Sequence, residues 1–365
     1  MKQSRNPFLY PLSLLYGAGV GLRNFLFNQG ILKEQSYQIP IICVGNITVG
    51  GTGKTPHVEL LISILRSRHR IAVISRGYGR KSRGLCEVTL DSTVSEVGDE
   101  PKQIKLKYPE VRFIVDGNRR RAIRHLFSLA PQDRPDVILL DDGFQHRYVH
   151  PSFSILLVDA SRELHEDALL PFGRLREPAT ARYRADCIIL TKCSADISPI
   201  QLRIMQRNLA LYPHQQIFFS RIQYLAPRPL GSLCEADERT LSEGTQVLAL
   251  SGVASPAPFL SYLREQYGLV DELTYRDHHL FTSSDLQEIE RAWREVQAKT
   301  PATPLYVITT EKDAVRLADS YASLAEDFRL HLFFLPITTE ILFKPESFQQ
   351  MIHKVAVALP RSLQY

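Results

Sequence analysis

Val44-Gly45-Asn46-Ile47-Thr48-Val49-Gly50-Gly51-Thr52-Gly53-Lys54-Thr55-Pro56 leaves a short apolar run at 39–44 and opens a helical pattern. Glycines let backbone N–H groups curl around phosphate oxygens, the ammonium of Lys54 reaches the outer phosphates, and the Thr55 hydroxyl suits a Mg²⁺ shell. Residues Thr48, Val49, Gly50, Gly51, Thr52, Gly53, Lys54 and Thr55 therefore form a candidate nucleotide-phosphate loop, with Thr48 where the strict motif has its first glycine.

Outward from that loop, β-rich apolar runs at 71–75, 111–115, 137–140, 155–158 and 187–190 alternate with helical stretches. That alternation predicts an α/β fold, a doubly wound parallel sheet covered on both faces. A run at 217–220 leads into a Pro-rich passage, Pro227 and Pro229, which reads as a linker. Further runs at 247–250, 269–273, 305–309 and 332–335, with helices near 257–267, 284–298 and 312–325, predict a second, smaller α/β domain. A closing helix at 346–359 suits either half. The expected division is a helix within 1–30, a phosphate-loop domain over 31–224, the smaller domain over 225–340 and a C-terminal helix within 341–365.

Composition narrows the function classes. A net charge of +5 on 365 residues favours anionic surfaces or phosphorylated substrates without being a nucleic-acid signature. The five cysteines, Cys43, Cys86, Cys187, Cys193 and Cys234, form no CxxC pair, and the eleven histidines form no HExxH. Neither a disulfide framework nor a zinc site is suggested, and a reducing cytosol fits best. Between Arg5 and Arg23 no side chain is charged, and Leu12, Leu15, Tyr16, Gly19, Leu22 and Leu26 share one side at helical period. That side suits a membrane surface or the protein's own core. A secretory signal would carry a nucleotide enzyme away from its nucleotide, which argues against export.

Several turns bear the chemistry. Asp141 and Asp142 end the run at 137–140, where a carboxylate can serve a magnesium shell. Gly143-Phe144-Gln145-His146 follows; Gln145 suits a metal-bound water and His146 a substrate, or both merely structure the loop. Ser75-Arg76-Gly77-Tyr78-Gly79-Arg80 leaves the second strand at the edge where α/β sheets gather ligands. In Gly98-Asp99-Glu100-Pro101 the aspartate either caps a helix or accepts a proton from an attacking hydroxyl. Arg119, Arg120, Arg121, Arg124 and His125 make a solvated helix face, or a site for phosphate or anionic lipid. They lack the aromatic interleaving that nucleic acid would call for. Thr191-Lys192-Cys193-Ser194 lacks the acidic residue of a guanine site, which argues against a G protein.

Together with Leu175-Arg176-Glu177-Pro178 and Asp277-His278-His279, these motifs run in order along nearly the whole chain, and they resemble those of the tetraacyldisaccharide 4'-kinase family. The resemblance implies transfer of the γ-phosphate of ATP to the 4'-hydroxyl of a tetraacylated glucosamine disaccharide 1-phosphate, at the cytoplasmic face of the bacterial inner membrane. It implies two α/β/α domains joined by a pair of linker strands, with ATP and Mg²⁺ as cofactors. Residue by residue, it makes Asp99 the general base paired with His278 and gives Lys54 the transferring phosphoryl group. Thr55, Asp142, Gln145 and Glu177 become the magnesium set, and Arg76, Tyr78, His146 and Arg176 candidates for substrate or phosphate. Partners would be the acylated disaccharide and the membrane surface, not nucleic acid. One departure stands out: Ser251-Gly252-Val253-Ala254-Ser255-Pro256 replaces a Gly-Ile-Gly-Asn-Pro-like turn. Another small-molecule kinase of the phosphate-loop type, or a regulatory ATPase, is the alternative reading.

Overall fold

The computed structural model describes residues 6–358 apart from 163, 195, 234–236 and 300, so Cys234 and the outer ends of the segments 1–30 and 341–365 lie outside the described residues. A larger sheet contains β1 Ile41–Gly45, β2 Ile71–Ser75, β3 Cys86–Val88, β4 Arg112–Val115, β5 Val137–Asp141, β6 Phe153–Asp159, β7 Cys187–Thr191 and β8 Gln216–Tyr224. A smaller one contains β9 Arg228–Pro229, β10 Gln246–Ser251, β11 Gly268–Thr274, β12 Tyr306–Thr310 and β13 Leu332–Leu335; β14 Ile337–Ile341 then returns to the larger sheet. The helices are α1 Tyr10–Asn28, α2 Lys54–Leu65, α3 Val94–Val97, α4 Asp99–Lys107, α5 Arg119–Ser128, α6 Pro199–Leu209, α7 Ala257–Gln266, α8 Ser283–Lys299, α9 Glu311–Ala318, α10 Glu326–Arg329 and α11 Pro345–Val357.

The larger sheet runs β14-β8-β7-β6-β1-β5-β2-β4-β3, parallel except for its two edge strands. Its central strands are buried on both faces, because successive side chains point to opposite sides. Ile42, Val44, Val73 and Leu139 enter one apolar cluster, and Ile41, Cys43, Ile74 and Leu140 the other. The smaller sheet, β11-β10-β12-β13-β9, is likewise covered twice: Leu248, Leu250 and Val307 face one cluster, Val247, Ala249 and Ile308 the other. This is the α/β doubly wound architecture expected, with its smaller α/β companion.

Three details differ from the sequence reading. Arg228 and Pro229, read as linker, pair antiparallel with β13 at the sheet edge, a position where proline's missing N–H is tolerated. The helix expected over 312–325 ends at Ala318, and the Asp319 carboxylate accepts the Val94 N–H at 2.9 Å. The strand Ile337–Ile341, of which all but Ile341 falls in the span 225–340 expected for the smaller domain, pairs with β8 of the larger sheet. Beside it, α11 sends Phe348, Ile352 and Ala356 into the larger core.

The chain thus passes between lobes twice, once after β8 and once before β14. The two passages lie side by side, the Leu225 N–H donating to the Pro336 carbonyl at 2.9 Å.

Candidate active site

Because β1, β5 and β2 are adjacent and parallel, the turns that follow them open at one edge of the sheet. The turn after β1 is pinned from three sides. The buried Asn46 amide donates to Thr52 Oγ1 at 2.8 Å, the Val49 N–H to the Arg174 carbonyl at 2.8 Å, and the Arg176 N–H to the Ile47 carbonyl at 2.8 Å. Gly50 and Gly53 lie at φ +100° and +84°, where a side chain would strain the backbone, and Gly53 precedes the first turn of α2. His57 locks that turn: its Nδ1 N–H donates to the Gly53 carbonyl at 2.6 Å, while Nε2 lies 2.8 Å from Ser220 Oγ. Burial pushes this imidazole down to about 4, so it is neutral and acts as a strut.

Asp142, at φ +48°, stands 3.7 Å from Lys54 Nζ and takes both carboxylate contacts of Arg176 Nη1, at 3.0 and 3.1 Å. A non-glycine residue in the left-handed region signals a backbone held for a purpose. Asp141, behind it, is 2% exposed and has one buried oxygen with no hydrogen bond. Burial first, then the charges of Glu100 and Asp142, raise its carboxyl to about 7. The other expected ligands are arranged unequally. Thr55 is buried beside the loop, the Gln145 amide donates to the Asn46 carbonyl at 2.8 Å, and Glu177 is held by Arg184 at 2.7 Å and Asn24 at 3.1 Å. Among the described residues no group of three or more His, Cys, Asp or Glu side chains is poised for a metal. The donor set is instead oxygen-rich and sparse, which fits Mg²⁺ completing its shell with water and phosphate.

His146 packs against Tyr148, and its Nε2 is buried without a hydrogen bond. Burial and the charges of Arg119, Arg120 and Arg23 push it down to about 4, so the ring is neutral. Arg76 and Tyr78 are exposed at the mouth, where the Tyr78 ring lies 5.4 Å from that of His278. Of the basic cluster, Arg121 and Arg124 are solvated as a helix face would be, whereas Arg119 is 4% exposed and turned inward.

Asp99 is the first residue of α4, with Gly98 in the cap position; its Oδ1 accepts the Glu100 N–H at 2.9 Å. Its Oδ2 faces His278 Nδ1 at 3.0 Å, so the structure brings together two residues 179 positions apart and from different lobes. His278 also has positive φ, +58°. Two cations that sequence reasoning missed complete the cluster, Arg316 and Lys312 of α9. Burial alone would raise the Asp99 carboxyl. The His278 hydrogen bond and the Lys312 and Arg316 charges outweigh it and hold the group well below the usual carboxylate range. A cleft of about 270 Å³ runs between this cluster and the phosphate loop, lined by residues 51–56 and Glu100 on one side and by Val253, Phe259 and residues 310–312 on the other.

Comparison with known proteins decides the family. The Tetraacyldisaccharide-1-P 4'-kinase family profile matches residues 5–357. The chain belongs to this family. It is 48% identical over 342 residues to the tetraacyldisaccharide 4'-kinase of Porphyromonas gingivalis, covering 93% of this chain and 94% of that one. To the Parabacteroides distasonis 4'-kinase it is 46% identical, covering 96% and 94%. A crystal structure of the "apo" form of LpxK from Aquifex aeolicus in complex with ATP superposes with a TM-score of 0.74 at 27% identity, covering 95% of this chain and 98% of that one. Membership makes the chain an ATP-dependent lipid A 4'-kinase whose acceptor is a lipid A precursor.

In this 4'-kinase the departure at Ser251–Pro256 falls on the cleft. The Gly252 N–H donates to Asp313 Oδ2 at 2.8 Å, and a Cβ on Gly252 would meet Asp313 Oδ1 at 3.0 Å. The turn thus keeps the glycine that this contact favours, while Val253 and Ser255 face the cavity.

Proposed function

We propose that the chain transfers the γ-phosphate of ATP to the 4'-hydroxyl of a tetraacylated glucosamine disaccharide 1-phosphate, with Asp99 and His278 as the proton-accepting pair. The observation that carries this reading is the 3.0 Å approach of His278 Nδ1 to Asp99 Oδ2, beside Glu100 and Lys312, which line the same cleft as Lys54. Phosphoryl transfer needs positioning and charge stabilisation more than covalent help. Backbone N–H groups of residues 50–55 hold the triphosphate, and Lys54 meets the charge that grows on the transferring group. The paired Asp99 and His278 take the hydroxyl proton as the oxygen attacks.

Thr55 and Asp142 would hold Mg²⁺ most directly, and Gln145 and Glu177 would orient its waters. Bound there, the ion neutralises charge on the phosphates. The unpaired oxygens of Asp141 and Glu177 support a polar occupant of this corner. Arg76, Tyr78, His146 and Arg176 line the acceptor side, where Arg76 gives the 1-phosphate or a transferring phosphate a cation.

The acceptor's acyl chains lie in a bilayer, and α1 suits that setting. Its inward side carries Ser13, Arg23 and also Tyr16, which helical period had grouped with the apolar side: Ser13 Oγ donates to the Leu169 carbonyl at 2.8 Å, Tyr16 OH to the Arg176 carbonyl at 2.9 Å and Arg23 to the Gln145 carbonyl at 2.8 Å. Leu12, Leu14, Leu15, Leu22 and Phe25 face outward, each more than half exposed. Among the described residues no helix is long and apolar enough to cross a membrane. In this reading the helix lies on the cytoplasmic face of the inner membrane, with the exposed side chains of Leu12, Leu14, Leu15, Leu22 and Phe25 in the lipid.

The test is an assay with radiolabelled γ-phosphate, offering the lipid disaccharide and soluble sugars side by side. Label on the lipid's 4'-position is expected. Equal labelling of a soluble sugar would favour a small-molecule kinase, and ATP consumption without labelled acceptor a regulatory ATPase.

A further inference from the structure

Asp99 is gripped by a guanidinium from the smaller lobe that the mechanism above does not use. Arg316 Nη2 donates to Asp99 Oδ2 at 2.5 Å and Nε at 3.2 Å, on the same oxygen that His278 approaches. The arginine side chain is 1% exposed and is fixed from behind. Its Nη1 donates to the Gly252 carbonyl at 2.9 Å and to Asp313 Oδ1 at 2.7 Å. Asp313 is in turn held by the Thr310 hydroxyl at 2.7 Å and the Gly252 N–H at 2.8 Å. The fork is thus built into α9 and the turns after β10 and β12 of the smaller lobe, whereas its target sits on α4 of the larger one.

We infer that Arg316 is a positioning residue of the phosphoryl transfer, clamping the Asp99 carboxylate across the lobe boundary and setting the pH at which that carboxylate takes up a proton. The inference rests on the proposed role of the Asp99–His278 pair.

An ion pair whose only task was to join two lobes would serve equally well away from the cleft. Here the guanidinium meets the one carboxylate oxygen turned to the imidazole, and Nη2 lies 3.4 Å from His278 Nδ1. Burial of a charge without its partner is costly, so Arg316 and Asp99 constrain one another's position. The groups that face Asp99 come from every packed element: Glu100 from its own helix, Lys312 and Arg316 from α9, with Asp313 behind them, and Tyr78, Asp277 and His278 from the loops after β2 and β11. Two cations dominate this set. Removing one raises the proton affinity of the carboxylate. A base of higher proton affinity is protonated at higher pH, so the acid limb of the rate profile moves upward. Lysine at 316 keeps the charge but loses the fork, and stands between the two.

The experiment uses the full-length enzyme with the lipid disaccharide in detergent micelles, recording kcat/KM against pH for the parent, Arg316→Lys, Arg316→Gln and Arg316→Ala. Thermal melting and ATP calorimetry are run on each. Arg316→Gln is expected to lose about tenfold or more in kcat with ATP affinity little changed, and its acid limb to rise by about one pH unit. Added guanidinium should restore part of the Arg316→Ala rate. A variant that melts normally, binds ATP and keeps the parental limb, with no response to guanidinium, overturns the inference whatever its rate. Where the neutral variants do not fold, the Arg316→Lys profile decides: an unmoved limb with unchanged kcat overturns it. Parental rates in Asp99→Asn and His278→Ala would instead remove the proton-accepting pair itself, a distinguishable failure.

Discussion

Asp99 shows how far single residues can be read. The motif Gly98-Asp99-Glu100-Pro101 marks a helix start, and the structure places Asp99 inside that helix rather than at its cap. Its chemistry becomes visible only when His278 and the α9 cations arrive from the other lobe. Asp99→Asn keeps the shape while removing the proposed base and one of its two accepting oxygens. Turnover should fall by about 10²–10⁴-fold with ATP affinity preserved, as initial rates and calorimetry would show; loss of ATP binding with normal turnover at saturation would contradict the assignment. Arg316 was not legible. In Glu311-Lys312-Asp313-Ala314-Val315-Arg316 the charges look like the ordinary i,i+3 and i,i+4 decoration of a surface helix. Glu311, Asp313 and Arg316 are all buried in the fold, a fact that depends on what packs against the helix.

Among elements, the strand–loop–helix unit around residues 41–65 was legible because each of its parts has a local cause: an apolar run, glycines, a lysine and a threonine at fixed spacing. The neighbour of β1 has no such local sign. A Cβ on Gly45 would come within 2.6 Å of Phe144 Cβ, so this glycine allows the loop after β5 to close over the phosphate loop. Helix α1 was legible as amphipathic, but not in which direction it faces. Its inward contacts touch the backbone of Gln145 and Arg176, so deleting residues 1–30 would disturb the site as well as any anchor. Replacing Leu15, Leu22 and Phe25 together by serine is the cleaner probe. Each is exposed, and the change should lower liposome binding at least about tenfold while soluble ATP binding persists. Flotation measures the first and calorimetry the second; unchanged flotation would count against α1 as the anchor.

At the scale of the whole molecule, the lobes also meet at a buried ionic knot. Lys107 Nζ lies 2.6 Å from Glu59 Oε2 and 3.2 Å from Glu311 Oε1, and donates to the Ile337 carbonyl at 3.2 Å. One lysine serves two carboxylates. Burial first, and then the Glu311 charge, push the deeper one, Glu59, up to about 7. A carboxyl whose proton affinity is higher in the folded chain stabilises fully below its unfolded pKa, and that stability is lost as pH rises through about 7. From pH 6 to 8 the loss from this group should be about 1 kcal/mol. Glu59→Gln should flatten that slope, as urea midpoints at the two pH values would reveal; an equal slope in the variant would refute it. The return of β14 was not legible, because Pro336 follows the run at 332–335 and Thr338-Thr339-Glu340 carries little apolar signal. Its place is set by the open edge of β8, which no local pattern records.

The juxtaposition of Leu225 and Pro336 has a topological meaning. Everything from β9 to β13 is looped out between two strands that are already paired, so the smaller lobe departs and returns through one doorway. A single strap would let it swivel freely; the double strap confines it to flexing about the axis of the β8–β14 ribbon. By the same geometry, a tight turn spliced between those two residues would excise the lobe without lengthening or shortening either strand, leaving the larger lobe with its outermost ribbon intact.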